Sequence, residues 1–209
     1  MRKAALICGA TSTLGLLVAE KLSATNFRVL GLCRDRTFKS KYYDRLFYCD
    51  LESRDEVVKS INELSLENFD SIILLASNDI YDCVECASFE NISKTLNIAV
   101  VSQVSLLFEI ARKNKLTNVI VISSDVVENS CESSLSYTLS KLLLENSMNY
   151  FSTVFYNVEV RCFRFPYLGY KMKNILYNEC SSCRNLTGEE AGYKLNMAAD
   201  DIVKELYNE

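Results

Sequence analysis

The chain has 209 residues, 49% of them hydrophobic and 24% charged, a balance that suits one globular domain with a sizeable core and excludes a disordered or fibrous chain. Its 23 basic and 27 acidic residues leave a net charge of −4, and with no basic stripe to track a phosphate backbone, no nucleic-acid partner is expected. Histidine is absent, which rules out a Ser-His-Asp triad, a Cys-His dyad and histidine-ligated zinc, and leaves Tyr, Lys, Cys or a carboxylate as the proton carrier.

In chain order, a short apolar run predicts a first strand over 3–8. Met1-Arg2-Lys3 followed by Ala4 to Cys8 could open a signal peptide, but the run breaks at once into Gly9-Ala10-Thr11-Ser12, so a buried strand is the better reading. Helix is predicted over 15–24, strand over 28–33, a short strand over 46–49 and helix over 54–64. There follow a strand at 71–76, a long helix at 91–113, a strand at 118–122, a helix at 137–151, a strand at 158–165 and a last helix at about 198–206. Alternating strand and helix implies a parallel sheet covered on both faces, in one domain spanning 1–209. Ligands then bind beyond the carboxyl ends of the strands. No apolar run reaches the roughly 18 residues of a membrane span. Nine cysteines, an odd number, are scattered through these elements, which suggests free thiols in a cytoplasmic setting and no membrane partner.

Gly9-Ala10-Thr11-Ser12-Thr13-Leu14-Gly15 joins the first strand to the first helix. Backbone N–H groups and the helix dipole there favour a pyrophosphate, the end glycines allow a tight turn and close packing, and the hydroxyls between them can donate to phosphate. The middle glycine usual in dinucleotide loops is missing. The second strand ends in Cys33-Arg34-Asp35-Arg36. Cys33 stands where an acidic residue would accept from the ribose of NAD, and Arg34 suits a 2′-phosphate, so NADP(H) is favoured over NAD(H), with Asp35 a competitor for the ribose.

Tyr137 and Lys141 are four apart in a predicted helix and share one face. An ammonium beside a phenol stabilises the phenolate and is expected to bring Tyr137 down toward working pH, as a general acid or base. With 12 tyrosines and, by count, 13 lysines in the chain, roughly 0.75 such pairs arise by chance, and Tyr167 with Lys171 is a second, in a loop setting after Pro166. Context separates the two: Ser123-Ser124 end a buried strand, and Ser124 lies 13 residues before Tyr137.

Together these features resemble the short-chain dehydrogenase/reductase superfamily, in its compact branch. The glycine loop from Gly9 to Gly15, the Cys49-Asp50-Leu51 turn, Asn97 within LNIAVVSQ, and the ISS at 122–124 ahead of Tyr137 and Lys141 fall in the family's order. The resemblance implies a Rossmann-like, doubly wound α/β fold. It implies that Tyr137 exchanges the substrate proton, Ser124 orients the carbonyl, Lys141 binds the nicotinamide ribose and Asn97 supports a water-linked relay behind Lys141. Cofactor contacts would come from Gly9, Thr11, Ser12, Thr13, Leu14, Gly15, Arg34, Asp50, Leu51 and Ala76, and from Pro166 and Leu168 in the turn after the sixth strand.

The resemblance covers 3 to about 170 and then thins. A short substrate-covering segment at about 167–195 and no convincing final strand predict six strands, with a seventh as the open alternative, and a homodimer through the helices at 91–113 and 137–151. Leu74-Leu75-Ala76-Ser77 stands where the family often has Asn-Asn-Ala-Gly. Cys83 with Cys86 and Cys180 with Cys183 could together hold zinc or form disulfides, but their long separation is unlike a zinc ribbon, so unpaired thiols and no metal are expected. The function expected is hydride exchange between NADP(H) and a small or carrier-bound carbonyl or alcohol. The alternatives are a sugar-nucleotide epimerase, dehydratase or reductase, and a non-catalytic NADP(H)-binding regulatory protein.

Overall fold

The computed structural model describes residues 2–78, 82, 85, 87–129, 134–165 and 188–207, with backbone only for 188–193. Six strands form one parallel sheet in the order β3-β2-β1-β4-β5-β6. They are β1 (Lys3–Cys8), β2 (Phe27–Cys33), β3 (Arg45–Tyr48), β4 (Ser71–Leu74), β5 (Asn118–Ser124) and β6 (Glu159–Phe165). The order reverses direction at β1, whose neighbours are β2 and β4, and this switch point is where a doubly wound sheet opens a crevice for ligand.

The helices are α1 (Thr13–Ser23), α2 (Arg54–Leu64), α3 (Phe89–Leu96), α4 (Ser102–Lys113), α5 (Leu135–Val154) and α6 (Gly188–Glu205). Alternate residues of each strand feed two cores. Leu6, Leu30, Leu32, Ile72, Leu74, Val119 and Val121 pack with Leu106, Leu107 and Ile110 of α4 and Leu144, Met148 and Phe151 of α5. Ala5, Ile7, Val29, Ile73, Ile120 and Ile122 pack on the other side with Leu14, Val18 and Leu22 of α1 and Leu195, Ala198, Ala199 and Ile202 of α6. Burying each of the Val, Leu, Ile, Met and Phe side chains among them contributes about 1.5–3 kcal/mol.

Local chemistry sets the boundaries. Ser12, Ser53 and Ser88 cap α1, α2 and α3 by accepting the N–H of Gly15, Glu56 and Asn91. The predicted helix at 91–113 is interrupted by a π-helical turn at Asn97–Val101. Gln103, fully buried, donates its side-chain amide to the carbonyls of Ile98 and Ala99 and to Ala76 O at 2.8 Å, so the widened turn is satisfied from within and tied to the end of β4. The run from 89 to 113 is long and apolar enough to cross a membrane, but its apolar side is core against the sheet. The last helix begins at Gly188, ten residues before the predicted start, and so takes in the end of the expected covering segment; polar residues in its first turns had hidden its period. The remainder of that segment, from Tyr167 to Thr187, lies outside the described residues, as do Pro166 and the cysteines at 83, 86, 180 and 183.

Candidate active site

The glycine loop is built around clearances. Gly9 has φ +100°, and a Cβ there would stand 2.8 Å from Leu75 Cδ1 and 3.0 Å from Ala76 N. A Cβ on Gly15 would lie 2.6 Å from Gly9 O, so the first turn of α1 can approach β1 only without side chains at these positions. Ser12, in the place of the missing middle glycine, has extended backbone (φ −69°, ψ 153°) that needs no glycine, and its hydroxyl accepts Gly15 N–H at 3.0 Å. Leu14 points into the core. A residue the sequence did not reveal, buried Tyr43, secures the loop: its hydroxyl lies 2.9 Å from Ala10 O and 3.1 Å from Gly15 O and donates to them. Burial pushes the Tyr43 phenol well above its ordinary pKa, so the donor stays protonated.

At the carboxyl ends of β1 to β4 a cavity of about 380 Å³ is lined by Gly9, Thr11, Arg34, Asp50, Leu51 and Ala76 among the residues expected from sequence, and also by Leu32, Cys33, Cys49, Ser77, Asn78, Lys94 and Ile98. The turn at Asp50 is fixed by Glu56, whose carboxylate accepts Asp50 N–H at 2.8 Å and Arg36 at 3.2 Å. Those bonds, the backbone one first, hold the Glu56 carboxyl below its usual range. Asp35, the expected competitor for the ribose, instead accepts Thr37 hydroxyl at 2.7 Å and Thr37 N–H at 2.8 Å, closing its own turn and lowering its pKa. Lys94 pairs with Glu52 at 3.0 Å on the cavity's other wall.

Beyond this cavity, at the end of β5, the structure brings Ser124, Tyr137 and Lys141 together. The Ser124 hydroxyl, which donates to the Asp125 carboxylate at 3.3 Å, also acts on the Tyr137 phenol and favours its ionised form. Lys141, 3% exposed, donates to Ile122 O at 2.8 Å, and its ammonium lies 5.3 Å from the Tyr137 ring centroid. Burial pushes Lys141 down to about 8, against the pull of the Glu145 carboxylate one turn on. The phenol differs from expectation. Burial pushes Tyr137 up, the Ser124 hydroxyl opposes this, and the Asp125 carboxylate adds to it. The lysine charge faces the ring and is spent on a backbone carbonyl, so it does not lower the phenol as the spacing alone suggested.

Asn97 lies on the π turn that packs against α5. It starts the π turn with its side chain exposed and its carbonyl accepting Ser102 N–H. Pro166 and Leu168 lie outside the described residues. Among the described residues no cluster of side chains could hold a metal ion.

A parallel sheet with a side-chain-free loop at its switch point, a cavity running over β1 to β4 and a tyrosine-lysine helix beside β5 defines a dinucleotide-binding Rossmann fold of the short-chain dehydrogenase/reductase superfamily. Residues 5–166 match the model of the NAD dependent epimerase/dehydratase family, and the chain belongs to that family, an enzyme family using nicotinamide dinucleotides. No curated protein matches it significantly by sequence. Solved structures agree in fold. A short chain dehydrogenase family protein from Francisella tularensis subsp. tularensis SCHU S4 is 20% identical with TM-score 0.69, over 77% of this chain and 67% of that one. A 4-hydroxyisoleucine dehydrogenase complexed with NADH is 20% identical with TM-score 0.71, over 78% and 72%. An NADPH-dependent reductase involved in bacilysin biosynthesis is 13% identical with TM-score 0.70, over 78% and 72%.

The residues present fit the dinucleotide. Added Cβ atoms at Gly9 and Gly15 would close the phosphate cradle, and Asn78, on the cavity wall, has a buried side-chain oxygen without a hydrogen-bond partner that a ribose hydroxyl would satisfy.

Proposed function

We propose that this protein is an NADP-preferring oxidoreductase acting on a small or carrier-bound carbonyl or alcohol, with Tyr137 as its general acid/base. The carrying observation is the trio of Ser124, Tyr137 and buried Lys141 at the end of β5, adjacent to the dinucleotide crevice. When bound, the nicotinamide ring supplies or takes the hydride. Ser124, beside the phenol, orients the substrate oxygen. Tyr137, kept protonated at neutral pH by burial, donates its proton to that oxygen, which suits carbonyl reduction. Lys141 lies one turn along the same face, where it reaches a ribose hydroxyl. Gly9, Thr11, Ser12, Thr13, Leu14 and Gly15 present the pyrophosphate cradle, and Asp50, Leu51 and Ala76 hold the adenosine side. Pro166 and Leu168 remain the expected nicotinamide contacts. With Asp35 turned onto Thr37, the Arg34 guanidinium is the charge left facing the cavity from the end of β2, which supports a 2′-phosphate.

A second reading has a specific basis in the family model: a sugar-nucleotide epimerase, dehydratase or reductase. The solved structures that share the fold include dehydrogenases and a reductase, and the short Ser124-to-Tyr137 interval keeps the simpler redox reading first. The surroundings belong to the same proposal. Four described cysteines, Cys8, Cys33, Cys49 and Cys162, are unpaired, which supports a cytoplasmic setting. Val101, Leu143, Tyr150 and Val154 are exposed apolar residues on the helical faces proposed for a homodimer.

Fluorescence titration with NADPH and NADH, followed by a carbonyl screen for NADPH oxidation, tests the assignment. Tyr137→Phe is expected to lower kcat by about 10²-fold or more while NADPH affinity stays within about twofold. Failure to bind either nucleotide sinks the enzyme reading, and undiminished turnover in Tyr137→Phe sinks the mechanism. Conversion of a sugar nucleotide with no net NADPH consumption selects the epimerase reading.

A further inference from the structure

Helix α5 begins differently from α1, α2 and α3. At α1, α2 and α3 the N-cap serine hydroxyl accepts the N–H three residues on. At α5 the N-cap is Ser134, with φ −140° and ψ 37° and no side-chain bond to the helix backbone; its hydroxyl lies 3.2 Å from Thr138 Oγ1. The open N–H groups are met from the β4–α3 connection. The carbonyl of Asp82 accepts Leu135 N–H at 3.0 Å, and its carboxylate accepts Ser136 N–H at 2.9 Å and the Ser136 hydroxyl. Asp82 is 2% exposed and Ser136 is fully buried.

A buried carboxylate is retained only where donors meet it, and the N-terminus of a helix supplies both donors and a favourable dipole. Here that helix end is also the place where the chemistry would occur, because the residue after Ser136 is Tyr137. The phenol must meet Ser124 on β5, and a turn free to fray would carry it away. The same connection lines the dinucleotide cavity four residues earlier, where Asn78 donates its side-chain amide to buried Thr95 at 2.9 Å. Asn78 and Asp82 therefore tie this connection to the cavity and to the start of α5.

We propose that Asp82 is a positioning residue for Tyr137: acting through Ser136, it caps α5 from a distant part of the chain and sets the phenol against Ser124. The proposal rests on the assignment of Tyr137 as the acid. Two of its readouts do not depend on turnover. Hydrogen–deuterium exchange of the peptide over 134–142 reports the cap, and the alkaline absorbance titration of Tyr137, taken as the difference from Tyr137→Phe, reports the phenol's surroundings.

Asp82→Ala is expected to speed exchange at the start of α5 by about tenfold or more. It should move the Tyr137 titration down toward an ordinary phenol and lower kcat about ten- to a hundredfold, with KM for NADPH within about twofold. Asp82→Asn, which keeps an acceptor for Ser136 N–H, should recover most of each effect. Should Asp82→Ala not fold, Asp82→Asn and Ser136→Ala carry the test, each with smaller shifts in the same directions. Unchanged exchange and titration in these variants overturn the proposal. Equal losses of kcat and NADPH binding without recovery by Asp82→Asn also overturn it, since they make Asp82 only a prop for the fold. A wild-type protein without turnover defeats the assignment of Tyr137, while exchange and titration still decide whether Asp82 sets its position.

Discussion

The two halves of the site are made of different material. On the adenosine side the working parts are backbone and empty space: the clearances at Gly9 and Gly15, the serine cap of α1, the Tyr43 hydroxyl on two loop carbonyls and the Glu56 carboxylate on an amide. On the β5–α5 side they are polar side chains, buried Ser124 and Lys141 and half-buried Tyr137, which keep a charge and a hydroxyl out of water. The first half is defined by atoms that must be missing and the second by atoms that must be present. Adding volume should therefore break the first, and removing polar groups should break the second.

Gly9→Val gives the largest expected effect. A β-branched residue at φ +100° is strained by about 1–3 kcal/mol, and its Cβ meets Leu75 and the backbone of Ala76, adding about 1–3 kcal/mol of overpacking. The urea midpoint should fall accordingly and NADPH binding should be lost. A variant with wild-type midpoint and affinity would show that the loop is not held by clearance.

Lys141→Met probes the other half through pH. The folded protein holds Lys141 at about 8, against about 10.4 in an unfolded chain. Between those values the unfolded state carries more protons, so the wild type gains stability as pH rises through this window, and below about pH 8 the buried charge is a standing cost. Lys141→Met should lack that gain, which is on the order of a few kcal/mol across the window. Chemical denaturation at pH 7.5 and 10 measures the difference between the two proteins. Parallel curves would place the ammonium in water and undo the contrast between the halves.

This contrast also explains what the sequence disclosed. Glycine spacing and strand periodicity are local signals, and they located β1, α1, α2 and the cavity residues from Gly9 to Ala76 within a residue or two. Ser124, Tyr137 and Lys141 were legible because one strand end and one helix carry them. Contacts that close across the fold leave no such trace. Tyr43 reaches Ala10 over 33 residues and Asp82 reaches Ser136 over 54, and neither has a neighbouring pattern to mark it. Asn97 shows the same limit: its position in a family pattern is local, but the π turn it opens is stabilised by Gln103 from the following turn. The direction of the Tyr137 shift was likewise set by burial and Asp125, which spacing cannot report.

Arg34→Ala sharpens the adenosine side with a smaller effect. Arg34 is exposed and lines the cavity at the end of β2, and a charge-assisted contact with a 2′-phosphate contributes about 1.5–3 kcal/mol. NADPH affinity should fall about tenfold or more, with NADH affinity nearly unchanged. Equal losses for both nucleotides would remove the 2′-phosphate assignment and leave Arg34 as a general contributor to the cavity's charge.

Tyr43→Phe is the finest test, since it removes one oxygen and leaves the ring in the core. The loop glycines keep their clearances, so only the tie from β3's entrance to Ala10 O and Gly15 O is lost. A buried neutral hydrogen bond contributes about 0.5–1.5 kcal/mol net, so the urea midpoint should drop by about 1 kcal/mol equivalent. If the hydroxyl also holds the cradle at the right width, NADPH should bind several-fold more weakly than this stability loss alone would produce. A loss of stability without weaker binding would mean that missing atoms suffice to shape the cradle, and that Tyr43 serves the fold and not the nucleotide.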